Sequence, residues 1–153
     1  KIPDIFVDQG ITRKVKTESN YDGMVKTIEI AKENFTGLAF LNLVDFDAAF
    51  GHRRNPKGYG DAIIEFDNQL TDLLRELKED DLLMITADHG NDPTYKGTDH
   101  TRENVPLIVY SKSLHKPTHL GLLKSYAVIG ATIAENFKVE NPGIGQSLAD
   151  KII

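Results

Sequence analysis

The sequence predicts an α/β protein with a mostly parallel sheet flanked by helices. Three observations carry that expectation. Apolar runs of strand length alternate with longer segments of helical period along the 153 residues. Two runs, 37–44 and 82–87, are apolar nearly throughout, as strands covered on both faces are. Both end directly on an acid, Asp45 and Asp88. Open α/β sheets bind ligands there, outside the carboxyl ends of their strands.

In chain order, residues 2–7 (IPDIFV) read as a short strand. Ser19 and Asn20 can cap a helix through Lys32, with Met24, Ile28, Ile30 and Ala31 as its apolar stripe. Residues 37–44 are expected to form the first buried strand. From Gly60 to Lys78 the period becomes helical, with Ile63, Phe66, Leu70, Leu73, Leu74 and Leu77 near i, i+3, i+4 and i+7. Residues 82–87 form the second buried strand, and 105–110 (VPLIVY) a third, whose Pro106 favours a strand start or an edge. Residues 126–137 read as a helix, broken by Asn141, Pro142 and Gly143. No repeat, linker or low-complexity tract interrupts the pattern.

Composition narrows the function. Hydrophobic residues make up 40% and charged residues 27%, a globular mix. The net charge of −5, with basic residues scattered, is not the footprint of a nucleic-acid binder. No apolar run has the length to cross a bilayer, so neither nucleic acid nor membrane is an expected partner. With no cysteine, thiolate metal sites and disulfides are excluded, and a cytoplasmic location is expected. The chain begins at Lys1 rather than Met, so preceding residues of a longer protein are expected.

Chemistry concentrates in one window. His52, His89 and His100 fall within 49 residues, each near an acid: Asp47, Asp88 and Asp99. Imidazole and carboxylate are the natural ligands for a divalent ion when thiolate is absent. Gly51 and Gly90 flank two of the histidines and allow a tight backbone path. A polar loop rim with ordinary hydrogen-bonded histidines is the bland alternative. It leaves unexplained why apolar strands feed acids into histidines twice. Alternation puts Asp45 and Asp47 on one strand face, and periodicity alone does not choose between them. Arg53 and Arg54 could neutralise phosphate or pair with nearby acids, and Asp99 and Arg102 could buttress the His100 loop. His115 and His119 are four apart, but Pro117 between them argues against a helical metal pair.

The strings FDAAFGHRR (46–54), TADHGNDP (86–93) and GTDHTRE (97–103) resemble the three metal motifs of phosphopentomutases, within the alkaline phosphatase superfamily. The order of these ligands is common to the superfamily. The five-residue step from Asp47 to His52, together with GHRR and GTDHTRE, is the phosphopentomutase form. Phosphoglycerate mutases of the superfamily generally set those two ligands closer. The resemblance extends from Lys1 to about Gly145, with one departure at Asn55, where the family would place an acid.

The resemblance implies an alkaline-phosphatase-like core, of which residues 1–153 would be the C-terminal, metal-binding part. The N-terminal nucleophile segment and the cap domain would lie outside this chain. It implies Asp47, His52 and His100 as ligands of one metal and Asp88 and His89 as ligands of a second. The ions would be two Mn2+, with Zn2+ or another divalent ion tolerated. The second metal also needs an N-terminal aspartate, and the nucleophile is an N-terminal threonine. Thr86, Thr94, Thr98 and Thr101 do not match that threonine's context. Lys1 resembles a lysine near the substrate. The implied reaction moves a phosphoryl group through a phosphoenzyme and a bisphosphate, interconverting ribose (or deoxyribose) 1-phosphate and 5-phosphate. Another phosphotransferase or phosphatase of the superfamily, or a non-enzymatic metal-binding fragment, stays open. A nucleotide-binding domain lacks support, since no glycine-rich phosphate loop opens any helix.

Overall fold

The computed structural model describes residues 2–141 and 143–152. In order the elements are α1 (Ile2–Ile5), α2 (Asn20–Lys32), a π-helical turn (Phe46–Gly51), α3 (Pro56–Glu76), β1 (Leu83–Thr86), β2 (Leu107–Tyr110), α4 (Ala127–Asn136) and α5 (Ala149–Ile152). Strands and helices are thus both present, as expected. The sheet differs: β1 and β2 form one antiparallel pair, and no parallel pair occurs among the described residues. The connection between them explains the direction. It contains no crossover helix, which parallel neighbours need, and its neck is pinched by an antiparallel bridge between Gly90 and Thr101.

The described residues gather into two compact units, one up to Leu77 together with Ile85–Leu107, the other Lys78–Met84 together with Ile108 onward. In the first, α2 packs against α3, with Met24 and Leu73 buried. Helix α2 starts where expected: the Ser19 hydroxyl accepts from the Asp22 N–H at 3.1 Å. Helix α3 starts earlier than its apolar stripe suggests. Asn55 caps it, its Oδ1 accepting from the Gly58 N–H at 2.9 Å, and Pro56 occupies the first turn. In the second unit the fully buried Thr132 donates to the Val128 carbonyl at 2.6 Å and accepts from the Leu148 N–H at 2.9 Å. That hydroxyl ties α4 to the segment leading into α5.

Two expected strands do not form. Residues 2–5 make a single helical turn, after which Val7 and Asp8 take left-handed backbone angles. Residues 37–44 join no ladder among the described residues. Leu41 and Leu43 of that run lie against Gly23 of α2, while Leu38 and Phe40 are 59% and 64% exposed. An apolar run becomes a strand only when another backbone meets its N–H and C=O groups. No helix among the described residues is long and apolar enough to cross a membrane.

Candidate metal centre

The centre lies wholly within the first unit and is built from three pieces. The π-helical turn carries Asp47 and is closed by His52. The chain leaving β1 carries Asp88 and His89, and the far side of the 91–100 loop carries His100.

The five-residue step from Asp47 to His52 is matched by the backbone. The His52 N–H donates to the Asp47 carbonyl at 3.0 Å, and the Asn55 N–H to the Phe50 carbonyl at 3.0 Å. These are i to i+5 bonds, the spacing of a π-helix. On an ordinary α-helix, side chains five apart diverge by about 140°. The wider turn brings them together, with His52 Nε2 3.4 Å from Asp47 Oδ1.

His100 completes a triangle. Its Nε2 is 3.3 Å from Asp47 Oδ1 and 3.1 Å from His52 Nε2. Donor atoms about 2.1 Å from one ion, at tetrahedral or octahedral angles, stand about 3.0–3.4 Å apart. All three edges of the triangle fall in that range. His89 is close by, its ring stacked on His100 with centroids 3.7 Å apart. One ligand atom each from Asp47, His89 and His100 lie within 4.8 Å of one another. Asp88 Oδ1 is 3.6 Å from His89 Nε2, and its side chain is 66% exposed. A carboxylate with three imidazoles suits a divalent transition metal, so donor set and spacing fit such an ion. Lys1 lies outside the described residues.

The histidine tautomers follow from their partners. His52 Nδ1 is 2.5 Å from the Thr98 carbonyl, and His89 Nδ1 is 3.1 Å from the Gly90 carbonyl. A carbonyl only accepts, so each neutral ring carries its proton on Nδ1 and leaves the Nε2 lone pair for a cation. Burial pushes the Asp47 carboxyl up. The Asn91 amide donating to Asp47 Oδ1 at 2.7 Å, together with the charges of His52, His100 and His89, outweighs that, and its pKa falls below the usual carboxylate value.

Asp45 and Asp47 part company here. Asp45 turns to α2, its carboxylate accepting from the Asn20 N–H at 2.7 Å while the Asn20 side-chain oxygen accepts from the Asp45 N–H at 3.0 Å. Asp47 alone of the two joins the cluster. Among the described residues, the hydrogen bonds of Arg54 go to acceptors other than acid side chains. Its guanidinium donates to four backbone carbonyls and to the Asn91 side chain. Sequence reasoning missed both Asn91 and this use of Arg54. The only signal was their place inside the motif strings. The exposed His115 and His119 lie outside any helix.

Both glycines beside the histidines are required by close approach. A Cβ on Gly51 would come within 2.6 Å of Asn91 Cγ and 3.1 Å of the Phe46 carbonyl. One on Gly90 would come within 2.9 Å of the Glu103 nitrogen and the Thr101 carbonyl.

Residues 4–141 match the Metalloenzyme superfamily. The phosphopentomutase of Limosilactobacillus reuteri strain DSM 20016 is 61% identical over 141 residues, which is 92% of this chain. The phosphopentomutase of Limosilactobacillus reuteri subsp. reuteri strain JCM 1112 matches to the same extent. This chain spans 36% of the length of each of these curated relatives. Because the superfamily match runs unbroken through the π-helical turn, the DHG string and His100, the chain belongs to the Metalloenzyme superfamily.

Proposed function

We propose that this chain is the metal-binding part of a phosphopentomutase, a cytoplasmic enzyme interconverting ribose or deoxyribose 1-phosphate and 5-phosphate. The observation that carries the reading is the triangle of Asp47, His52 and His100, with edges of 3.1–3.4 Å. The 61% identity to phosphopentomutases supports the substrate class. Residues 1–153 are read as the C-terminal part of the catalytic core, with the nucleophilic threonine and the cap domain supplied by another stretch of the complete protein. Segment 37–44 is read as a strand of that protein's mostly parallel sheet, consistent with its exposed Leu38 and Phe40.

Asp47, His52 and His100 would hold one Mn2+, and Asp88 and His89 would contribute to a second. Such ions, when bound, neutralise phosphoryl charge and polarise the attacking and leaving oxygens. The chain's own contribution is orientation. Asn91 fixes the Asp47 carboxylate, and the Thr98 and Gly90 carbonyls fix the rings of His52 and His89. Asp47, like any ordinary aspartate, is ionised at neutral pH and so available to ligate. The threonine hydroxyls of this region serve the loops. Thr86 donates to the Pro106 carbonyl at 2.8 Å, Thr94 to Asp92 at 2.7 Å, and Thr101 to Glu103.

The test is an assay of the complete protein with Mn2+, offering ribose 5-phosphate and phosphoglycerate in parallel. Ribose 1-phosphate formation is expected; turnover of phosphoglycerate alone contradicts the assignment. A second partition of ligands is favoured by the proximity of Asp47, His89 and His100 within 4.8 Å. If those three hold the tighter ion, His52→Ala leaves its affinity unchanged.

A further inference from the structure

The loop from Asn91 to Asp99 contains no helix or strand, yet it must place His100 to within a fraction of an ångström for any ion to be shared. Its neck is closed by the Gly90–Thr101 bridge, where the Thr101 N–H donates to the Gly90 carbonyl at 3.1 Å. The Thr101 hydroxyl accepts from the Asp92 N–H at 2.7 Å. Inside the loop the carbonyls turn toward one side chain. Arg54 donates through Nε to Gly97, through Nη2 to Asp99 at 2.6 Å, and through Nη1 to Asp92 at 2.9 Å. The same Nη1 reaches the Gly51 carbonyl at 3.1 Å and Asn91 Oδ1 at 2.8 Å. The Thr98 carbonyl, between those of Gly97 and Asp99, is taken by His52. Three consecutive carbonyls are thus held by two side chains of the segment that carries Asp47.

Arg54 itself has a φ of 51°. Val7, Asp8 and Lys138 share that left-handed region, so the angle alone marks no site, and the case for Arg54 rests on its hydrogen bonds. The guanidinium reaches acceptors in several directions at once through its planar fork, as an ammonium would not.

We propose that Arg54 is a positioning residue. It locks the His100 loop onto the Asp47–His52 turn and, through Asn91, onto the Asp47 carboxylate, thereby setting the geometry of the metal centre. The inference rests on the metal reading above and adds a residue outside the ligand set.

The test uses the 153-residue chain and Mn2+ alone, titrated by electron paramagnetic resonance. Amide exchange of Asp92, Tyr95 and Thr101 is followed in metal-free protein. Arg54→Ala is expected to weaken Mn2+ binding roughly 10- to 100-fold, the usual cost of losing an outer partner of a metal site. It should also speed exchange of the three amides, and millimolar guanidinium should restore part of both. Arg53→Ala, at the exposed neighbour, should change neither. Wild-type Mn2+ affinity in Arg54→Ala, or unchanged loop exchange, overturns the proposal. Should Arg54→Ala not fold, the Arg54 Nε–H of the wild-type chain decides. Slow exchange supports the clamp and solvent-fast exchange overturns it. If the wild type binds no Mn2+ through Asp47, His52 and His100, the metal reading fails, while loop exchange still judges the clamp.

Discussion

Asn91 is the residue on which the candidate centre turns without being a ligand. Its amide donates to Asp47 Oδ1 while its side-chain oxygen accepts from Arg54, so it faces acid and base at once. Asn91→Ala should remove the donor that orients Asp47 and weaken Mn2+ binding roughly 10- to 100-fold, read by titration. Gly51→Ala should reach the same result by a different route. Its new Cβ, 2.6 Å from Asn91 Cγ, must push the amide off the carboxylate. Unchanged Mn2+ affinity in Gly51→Ala would refute that route. At this scale the side chains that cluster here were legible because the absence of cysteine turns attention to acids and imidazoles. Asn91 and Arg54 were not legible. An amide and a guanidinium reveal their role only by their acceptors, which the fold supplies.

The helices followed from local signals. Ser19 begins α2, and the apolar stripe of α3 set its face though not its start, which Asn55 and Pro56 decide. The strands depended on partners that periodicity does not specify. That is why 82–87 yielded a strand and 37–44 did not. The brace between Asp45 and Asn20 is testable here. Asp45→Ala strands the buried Asn20 N–H and should cost about 1–3 kcal/mol in urea unfolding. A pH effect belongs to the first turn of α2. The Lys26 ammonium at 2.6 Å and the Glu18 N–H at 2.9 Å hold the Asp22 carboxyl below its ordinary value. The unfolded chain therefore binds the proton more readily. This contribution is present above the ordinary carboxylate pKa, about 3.9, and is lost as pH falls through the lower folded value. Asp22→Asn should flatten that part of the stability–pH profile, and an unaltered profile would show that Asp22 contributes nothing there.

Across the molecule, the α/β character and the meeting of three distant motifs were legible, whereas the sheet was not. The apolar side chains of 37–44 require cover, and the sequence does not state which backbone gives it. Mn2+ titration of this chain should find one site clearly tighter than the other, because Asp47, His52 and His100 form a complete triangle while Asp88 stands 66% exposed beside His89. Two equally tight sites would contradict that asymmetry. On the proposed reading, in which another stretch of the complete protein supplies the nucleophilic threonine, the chain by itself should form no ribose 1-phosphate. The most direct measurement is electron spin echo modulation of the Mn2+-loaded chain with 15N-labelled histidine. Two imidazole nitrogens should couple to the ion, one lost in His52→Ala and the other in His100→Ala. A bound Mn2+ whose spectrum carries no histidine coupling, or keeps both couplings in those variants, would contradict the account.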